Sequence, residues 1–293
     1  VLGAEKLSGL SSAEKAQVLT DQIDEALEDL SFQLSQGHTD KYLQMLEFYS
    51  RFWKYSIGNS ILIYLQRPDA TLVAGFKKWA ELGFTVKPGE KGLAIRAPWL
   101  KKEIDQETGE IKERLIGYLA TFVFDISQTK EYPAKQPPTI FAPVHGDWQS
   151  LYEHVRLWAF TQGVAMTESA MPEGVHGMYS NSNVFINERL QPFYKLTTAL
   201  HEYVHHVAHG SPDQRDNLTR DQREWEAESV TYVLCRSLGI EHETARDYLL
   251  SYHFTTEDLE AVTRKVSALV KQITADLHLA EEAKKKVPEA VAA

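Results

Sequence analysis

Apolar residues recur at helical spacing through SSAEKAQVLTDQIDEALEDLSFQL, and Ser11 and Glu14 stand at the spacing of a capping box, which predicts a helix from about Ser12 to Leu34. A second helix, rich in Tyr, Phe and Trp, is expected from about Asp40 to Tyr55. NSILIYLQ continues helical and stops before Pro68, because the residue ahead of a proline is disfavoured in helix. GFKKWAELG reads as a short helix closed by Gly83. The period then changes. FTVKPGEKGLAIRAPWLKKE and ERLIGYLATFVFDIS carry the β-branched and aromatic content of strands, with turns at KPGEKG and DQETGE.

Gln128 to Gly146 contains Pro133, Pro137, Pro138 and Pro143 and keeps no sustained period, so it is the candidate linker. Beyond it the pattern predicts a helix from about Asp147 to Gln162 and a hairpin in VHGMYSNSNVFIN turning at Asn181 to Asn183. Helices near Pro192 to Ala208, Arg220 to Leu238 and Thr256 to Lys286 follow, with a shorter one between, and AEEAKKKVPEAVAA reads as a solvated, fraying end. The expected fold class is α+β with two domains. Residues 1–130 would form a helical domain with a small antiparallel sheet, 131–146 the linker and 147–293 a mainly helical domain.

At 293 residues with 43% hydrophobic content, the chain has enough apolar material for two cores. A single cysteine, Cys235, excludes an internal disulfide framework and is expected in the core of the helix VTYVLCRSL. Nothing at the N-terminus reads as a basic region followed by an apolar run, so a reducing cytoplasm is the expected setting. The richest apolar window, YLATFVFDI, is interrupted by Asp125, so no membrane span is expected.

His201-Glu202-Tyr203-Val204-His205 fits H-E-x-x-H. On a helix, residues i and i+4 share a face, so the two imidazoles converge while the intervening glutamate reaches a water at the same point; this is the arrangement of zinc hydrolases. Zn2+, or another divalent metal, is the expected cofactor, with Glu202 as the base and amide hydrolysis as the natural reaction. A third protein ligand is needed, and REWEAESVTYVLCRSLG offers Glu224 or Glu228, one helical turn apart. His206 and His209 fall off the ligand face or a turn beyond it, as surface or supporting residues. His176 and Tyr179, on the hairpin, are placed either to line a substrate groove, where Tyr179 would stabilise an oxyanion, or as ordinary strand residues.

The formal charge of −10 averages over unlike regions. Between Arg51 and Lys102, ten cationic residues face three acidic ones and alternate with Phe52, Trp53, Tyr55, Tyr64, Phe76, Trp79, Phe84 and Trp99. Cations follow phosphates and aromatic faces accept unstacked bases, a combination suited to single strands. The same composition also fits rings that fill a small core beneath a solvated lysine face. Asn59 and Arg67 are expected in hydrogen-bonded roles, structural or on nucleic acid.

Tyr55 to Pro98, with the Asn59 element, RPDA at Arg67 to Ala70, GFKKW at Gly75 to Trp79 and VKPGEKG at Val86 to Gly92, resembles the N-terminal single-stranded-DNA-binding domain of the ArdC-type antirestriction proteins of conjugative plasmids and related mobile elements. YLATFVFDISQT, Tyr118 to Thr129, resembles the strand that ends this domain. The resemblance extends to a zincin-like metallopeptidase domain matching His201, Glu202, His205 and EWEAES, and it implies Glu224 as the metal ligand with Glu228 orienting a histidine from behind. In the matching motifs Lys77, Lys78, Trp79, Lys87 and Lys91 are the candidate DNA contacts. The implied function is to coat incoming single-stranded DNA and protect it from restriction. The alternative is a DNA-responsive zinc protease that cleaves a repressor or a DNA-bound protein.

Overall fold

The computed structural model describes residues 7–104, 111–131, 147–212, 217–251 and 259–277. The linker, the DQETGE turn and the C-terminal tail read from the sequence lie outside the described residues, apart from Gln128 to Glu131 at the linker's start. The chain divides into two compact units, Val1–Asp29 with Tyr55–Ile140 and Leu30–Lys54 with Phe141–Ala293. The class is mixed helix and sheet, as expected.

The capping box forms as the sequence predicts: Ser11 N donates to Glu14 Oε2 at 2.7 Å and Glu14 N to Ser11 Oγ at 3.3 Å, opening α1, Ser12–Ser35. α2, Thr39–Arg51, belongs to the second unit, which departs from a first domain running unbroken over residues 1–130. The cause is its aromatic face. Tyr42 stacks on Trp225 with centroids 4.1 Å apart, and the hydroxyls of Tyr42 and Tyr49 bond Ser229 and Ser267 at 3.2 and 2.8 Å.

In the first unit, Ser56 caps α3, Ile57–Gln66. There follow β1, Val73–Gly75; α4, Phe76–Leu82, stopped by Gly83 at φ +85°; β2, Phe84–Val86; β3, Leu93–Ile104; β4, Ile111–Asp125; and β5, Thr129–Glu131. β1, β4 and β3 form one antiparallel sheet in that order, and β2 pairs with β5. β3 is therefore an edge, and an edge leaves backbone groups without partners. Two side chains of α3, seven positions apart and so on one face, supply them. Asn59 Nδ2 donates to the Arg96 carbonyl and Oδ1 accepts from its N–H, at 2.8 and 2.9 Å; Gln66 makes the same pair with Ala94, at 2.9 and 2.8 Å.

Asp125, the charge that interrupts the apolar run, ends β4 by accepting from the backbone N–H groups of Thr71, Leu72 and Ser127. Burial alone would raise its pKa, but these hydrogen bonds outweigh it and hold the carboxyl below its usual range. Trp79 lies wholly inside with Phe84, Val86 and Ala74, and its Nε1 donates to the Phe124 carbonyl at 2.8 Å.

The second unit adds α5, Trp148–Thr161; β6, Ala165–Ser169; β7, Gly177–Ser180; β8, Asn183–Asn187; α6, Pro192–His209; α7, Arg220–Ser237; α8, Glu243–Ser251; and α9, Leu259–Leu277. The sheet runs β6-β8-β7, with β6 parallel to β8 and β7 antiparallel to it at the edge. The expected hairpin is β7–β8. Asn181 and Ser182 take φ of 49° and 58° in its two-residue loop, as a type I′ turn requires. Among the described residues no helix is long and apolar enough to cross a membrane.

Two stability effects are expected from denaturant titration of variants. Asn59→Ala strips the edge of β3 at Arg96 and should cost about 1–3 kcal/mol, and Trp79→Ala, which empties the core of the first unit, about 3–5 kcal/mol.

Candidate metal centre

Pro192 at the first helical position starts α6, and Leu196, Ala199, Leu200, Tyr203, Val204 and Ala208 bury one side of it. Trp158 of α5 packs edge-on against Tyr203 at 4.4 Å. α7 is buried around most of its circumference from Trp225 to Cys235 and opens with a capping box at Thr219 and Gln222. Pairing these two helices brings His201 and His205 to Glu224.

The two Nε2 atoms are 3.1 Å apart, and Glu224 Oε2 is 3.4 Å from each. Donors at the corners of a tetrahedron around a zinc ion, each about 2.0–2.1 Å from it, stand about 3.3–3.4 Å apart. Of the groups of metal-ligating side chains among the described residues, this triad alone brings its donor atoms within 4.8 Å of one another. The donor set therefore fits a small divalent cation in distance and in chemistry.

Hydrogen bonding behind the imidazoles aims them. His209 Nε2 lies 2.9 Å from Glu226 Oε2, which also takes Lys265 Nζ of α9 at 2.5 Å, so that nitrogen carries the proton. Burial lowers the pKa of His209, leaving a neutral ring whose Nδ1 accepts from His205 Nδ1 at 3.1 Å. This contact leaves Nε2 as the nitrogen that His205 turns toward Glu224, 3.4 Å away. Glu228 Oε1 stands 3.5 Å from His201 Nδ1 as its ion-pair partner, while its Oε2 is buried without a hydrogen-bond partner among the described residues.

Charge is concentrated here. Burial would lower the pKa of His201, but the hydrogen bond to Glu224 and the charges of Glu228 and Glu202 outweigh it and raise it to about 9. Glu224, despite burial, is held well below the carboxylate range by both imidazoles. In the metal-free protein a proton supplies the positive charge that a cation would bring. Glu202 is buried against β7 and accepts from the backbone N–H of Tyr179; burial foremost raises its pKa. Gly177 makes that approach possible, since a Cβ there would lie 2.5 Å from Thr198 Cγ2 and 3.2 Å from Glu202 Cγ.

Residues 13–124 match the family described as the N-terminal domain of anti-restriction factor ArdC, and residues 163–260 match the IrrE N-terminal-like domain, a peptidase family. The chain thus carries a segment matching the ArdC N-terminal domain followed by one matching the IrrE-like domain. An uncharacterized protein of Bacillus anthracis is 26% identical over 76% of this chain, which spans 45% of that relative's length. The metal-free crystal structure of the antirestriction ArdC protein from the R388 plasmid is similar at TM-score 0.45 and 18% identity, covering 80% of this chain and 86% of the other. The Mn(II)-bound structure of the same protein gives 0.40 and 17%, covering 80% and 90%.

The IrrE-like segment contains the whole His201, Glu202, His205, Glu224 and Glu228 cluster. Tyr179 sits on β7 with its hydroxyl 3.1 Å from His206 Nδ1, whereas His176 is exposed beside Tyr194. Glu226 and Lys265 were not singled out by the sequence. His209 repeats the i, i+4 step of the histidine pair and Glu226 lies between the two candidate glutamates, but no spacing rule reaches Lys265.

In the ArdC-type N-terminal domain the DNA candidates separate. Lys77 and Lys78 are exposed on α4, Lys78 paired with Glu81 at 3.2 Å. Lys87 donates to the Ser127 carbonyl at 2.7 Å, and Lys91 is exposed. Trp79 must be withdrawn as a DNA contact. Its ring fills the core, 5.4 Å from Phe84, and has no free face on which a base could stack.

The raised pKa of His201 gives a pH signature to the metal-free protein. A histidine raised from its ordinary 6.5 to about 9 contributes stability that is full below the lower value and is lost as pH rises through the upper one. The melting temperature of EDTA-treated protein, followed by calorimetry, should fall between pH 6.5 and 9.5, and His201→Gln should flatten that fall.

Proposed function

We propose that this protein binds single-stranded DNA through its ArdC-type N-terminal domain and acts as a Zn2+ metallopeptidase through its IrrE-like domain, protecting incoming mobile-element DNA from restriction. The convergence of His201, His205 and Glu224 beside a buried Glu202 supports the metallopeptidase reading more than any other observation. A purely structural metal would have no use for Glu202.

His201, His205 and Glu224 would hold the cation, with Glu228 and His209 keeping the imidazoles turned toward it. A divalent cation there supplies Lewis acidity to a substrate carbonyl. Glu202, whose raised pKa makes it a better base than an exposed glutamate, takes a proton from the attacking water and returns it to the leaving amine. The edge position of β7 supports a peptide substrate, because an extended chain pairing with that edge would run alongside Glu202. Tyr179, on the same strand, is the candidate donor to the oxyanion.

The same strand edge favours a second reading, in which the target is a repressor or a DNA-bound protein and single-stranded DNA is the trigger. Hydrolysis of fluorescein-labelled casein with and without a dT30 oligonucleotide separates the two: stimulation by the strand supports the triggered protease. Glu202→Gln should lower hydrolysis by about 10²–10⁴-fold, leaving zinc stoichiometry by mass spectrometry and dT30 affinity by fluorescence anisotropy unchanged. Failure of the wild type to bind dT30 at low salt would remove the DNA half of the proposal. Glu226→Ala, which frees His209 and hence His205, should weaken zinc binding by about 10–100-fold in competition with a chelating dye.

A further inference from the structure

The first unit contains a cleft of about 840 Å³ lined by Lys15 of α1, Arg67 at the end of α3, Glu90 and Lys91 of the β2–β3 turn, Phe122 of β4 and Gln128. Its size falls within the range of about 300–1,000 Å³ typical of small-molecule sites. Two sequence motifs separated in the chain by α4 and β2 meet there: RPDA supplies Arg67 and VKPGEKG supplies Gly89 to Gly92. Three cations, Lys15, Arg67 and Lys91, line the cleft against one acid, Glu90, which is engaged by Gln128 Nε2 at 2.9 Å.

The cations lack matching acceptors. Arg67 reaches only Asp69, at 3.7 Å and on a side chain 87% exposed, while its buried Nη1 has no acceptor among the described residues. A guanidinium held partly out of water with unmet donors favours an oxyanion, for which its planar fork is suited. Lys15 and Lys91 form no ion pair among the described residues, so their charge adds to the same demand. Phe122 contributes a different chemistry. It is 44% exposed, and Gly92 lets the turn lie directly on it, since a Cβ there would be 2.8 Å from Phe122 Cβ. Lys91 thus lines the same cleft as an accessible aromatic ring.

We propose that this cleft seats one nucleotide unit of a single DNA strand, its phosphate held by Arg67, Lys91 and Lys15 and its base against Phe122. The proposal rests on the single-strand-binding reading of the N-terminal domain and assigns it a place. A duplex would offer the phosphates but not the base, so occupation of the cleft selects unpaired strands.

The test is anisotropy of the full-length protein with fluorescent dT20 across a salt series. Arg67→Gln combined with Lys91→Gln should weaken binding at least tenfold and reduce the salt slope by about 0.7 for each phosphate no longer neutralised. Phe122→Ala should weaken it by about fivefold or more with the slope unchanged, as stacking rather than charge is removed. Lys41→Glu, at an exposed site on α2, changes the charge by the same two units and is the charge-matched control, which should bind like wild type. If the double variant melts early, Lys91→Glu alone carries the test, because that side chain is exposed. Wild-type binding by both Lys91→Glu and Phe122→Ala would overturn the cleft assignment and leave single-strand binding intact, whereas no binding by the wild type would overturn both.

Discussion

Four carboxylates, Glu202, Glu224, Glu226 and Glu228, gather around the histidines of α6, and the second unit is organised around the need to compensate them. Buried negative charge is costly unless it is paired and hydrogen-bonded. Three of the four show how unevenly that requirement is met. Glu226 is bonded by His209 and Lys265, Glu224 faces both Nε2 atoms, and Glu228 stands behind His201 with one oxygen unsatisfied among the described residues. α7 must lie close against α6 for these pairs to form, and its apolar residues, buried from Trp225 to Cys235, hold it there.

The same two glutamates, one helical turn apart, thus acquire different tasks from position alone. Glu224 is pulled down in pKa by two imidazoles and presents an oxygen to their shared centre, whereas burial foremost raises Glu228, which reaches only the rear of one ring. The sequence left Glu224 and Glu228 as equal candidates until the family resemblance separated them, because helical spacing puts both on one face and says nothing of depth.

The first unit shows a related economy with backbone rather than charge. Asn59 and Gln66 substitute for a missing neighbour strand along β3, which answers why polar residues sit within an otherwise apolar α3. The aromatic content of this region divides along the same line. Trp79 and Phe84 pack inside, while Phe76, Trp99, Tyr118 and Phe122 remain accessible. Its place in the matching motif made Trp79 a DNA candidate, and a motif does not separate an interior ring from an exposed one.

The sequence by itself determined the elements with a local cause: the capping box at Ser11, the helix stop at Gly83, the type I′ hairpin at Asn181 and Ser182, and the i, i+4 histidine pair. Each depends on interactions within one turn or hairpin, and such interactions leave a fixed spacing in the chain. Tertiary structure decided what depends on distant segments meeting. It carried α2 into the second unit through Tyr42 and Trp225, buried Trp79, brought Lys265 to Glu226, and joined Arg67 to the turn at Lys91. No spacing rule encodes these contacts, because each arises from burying apolar faces that any of several partners could have covered.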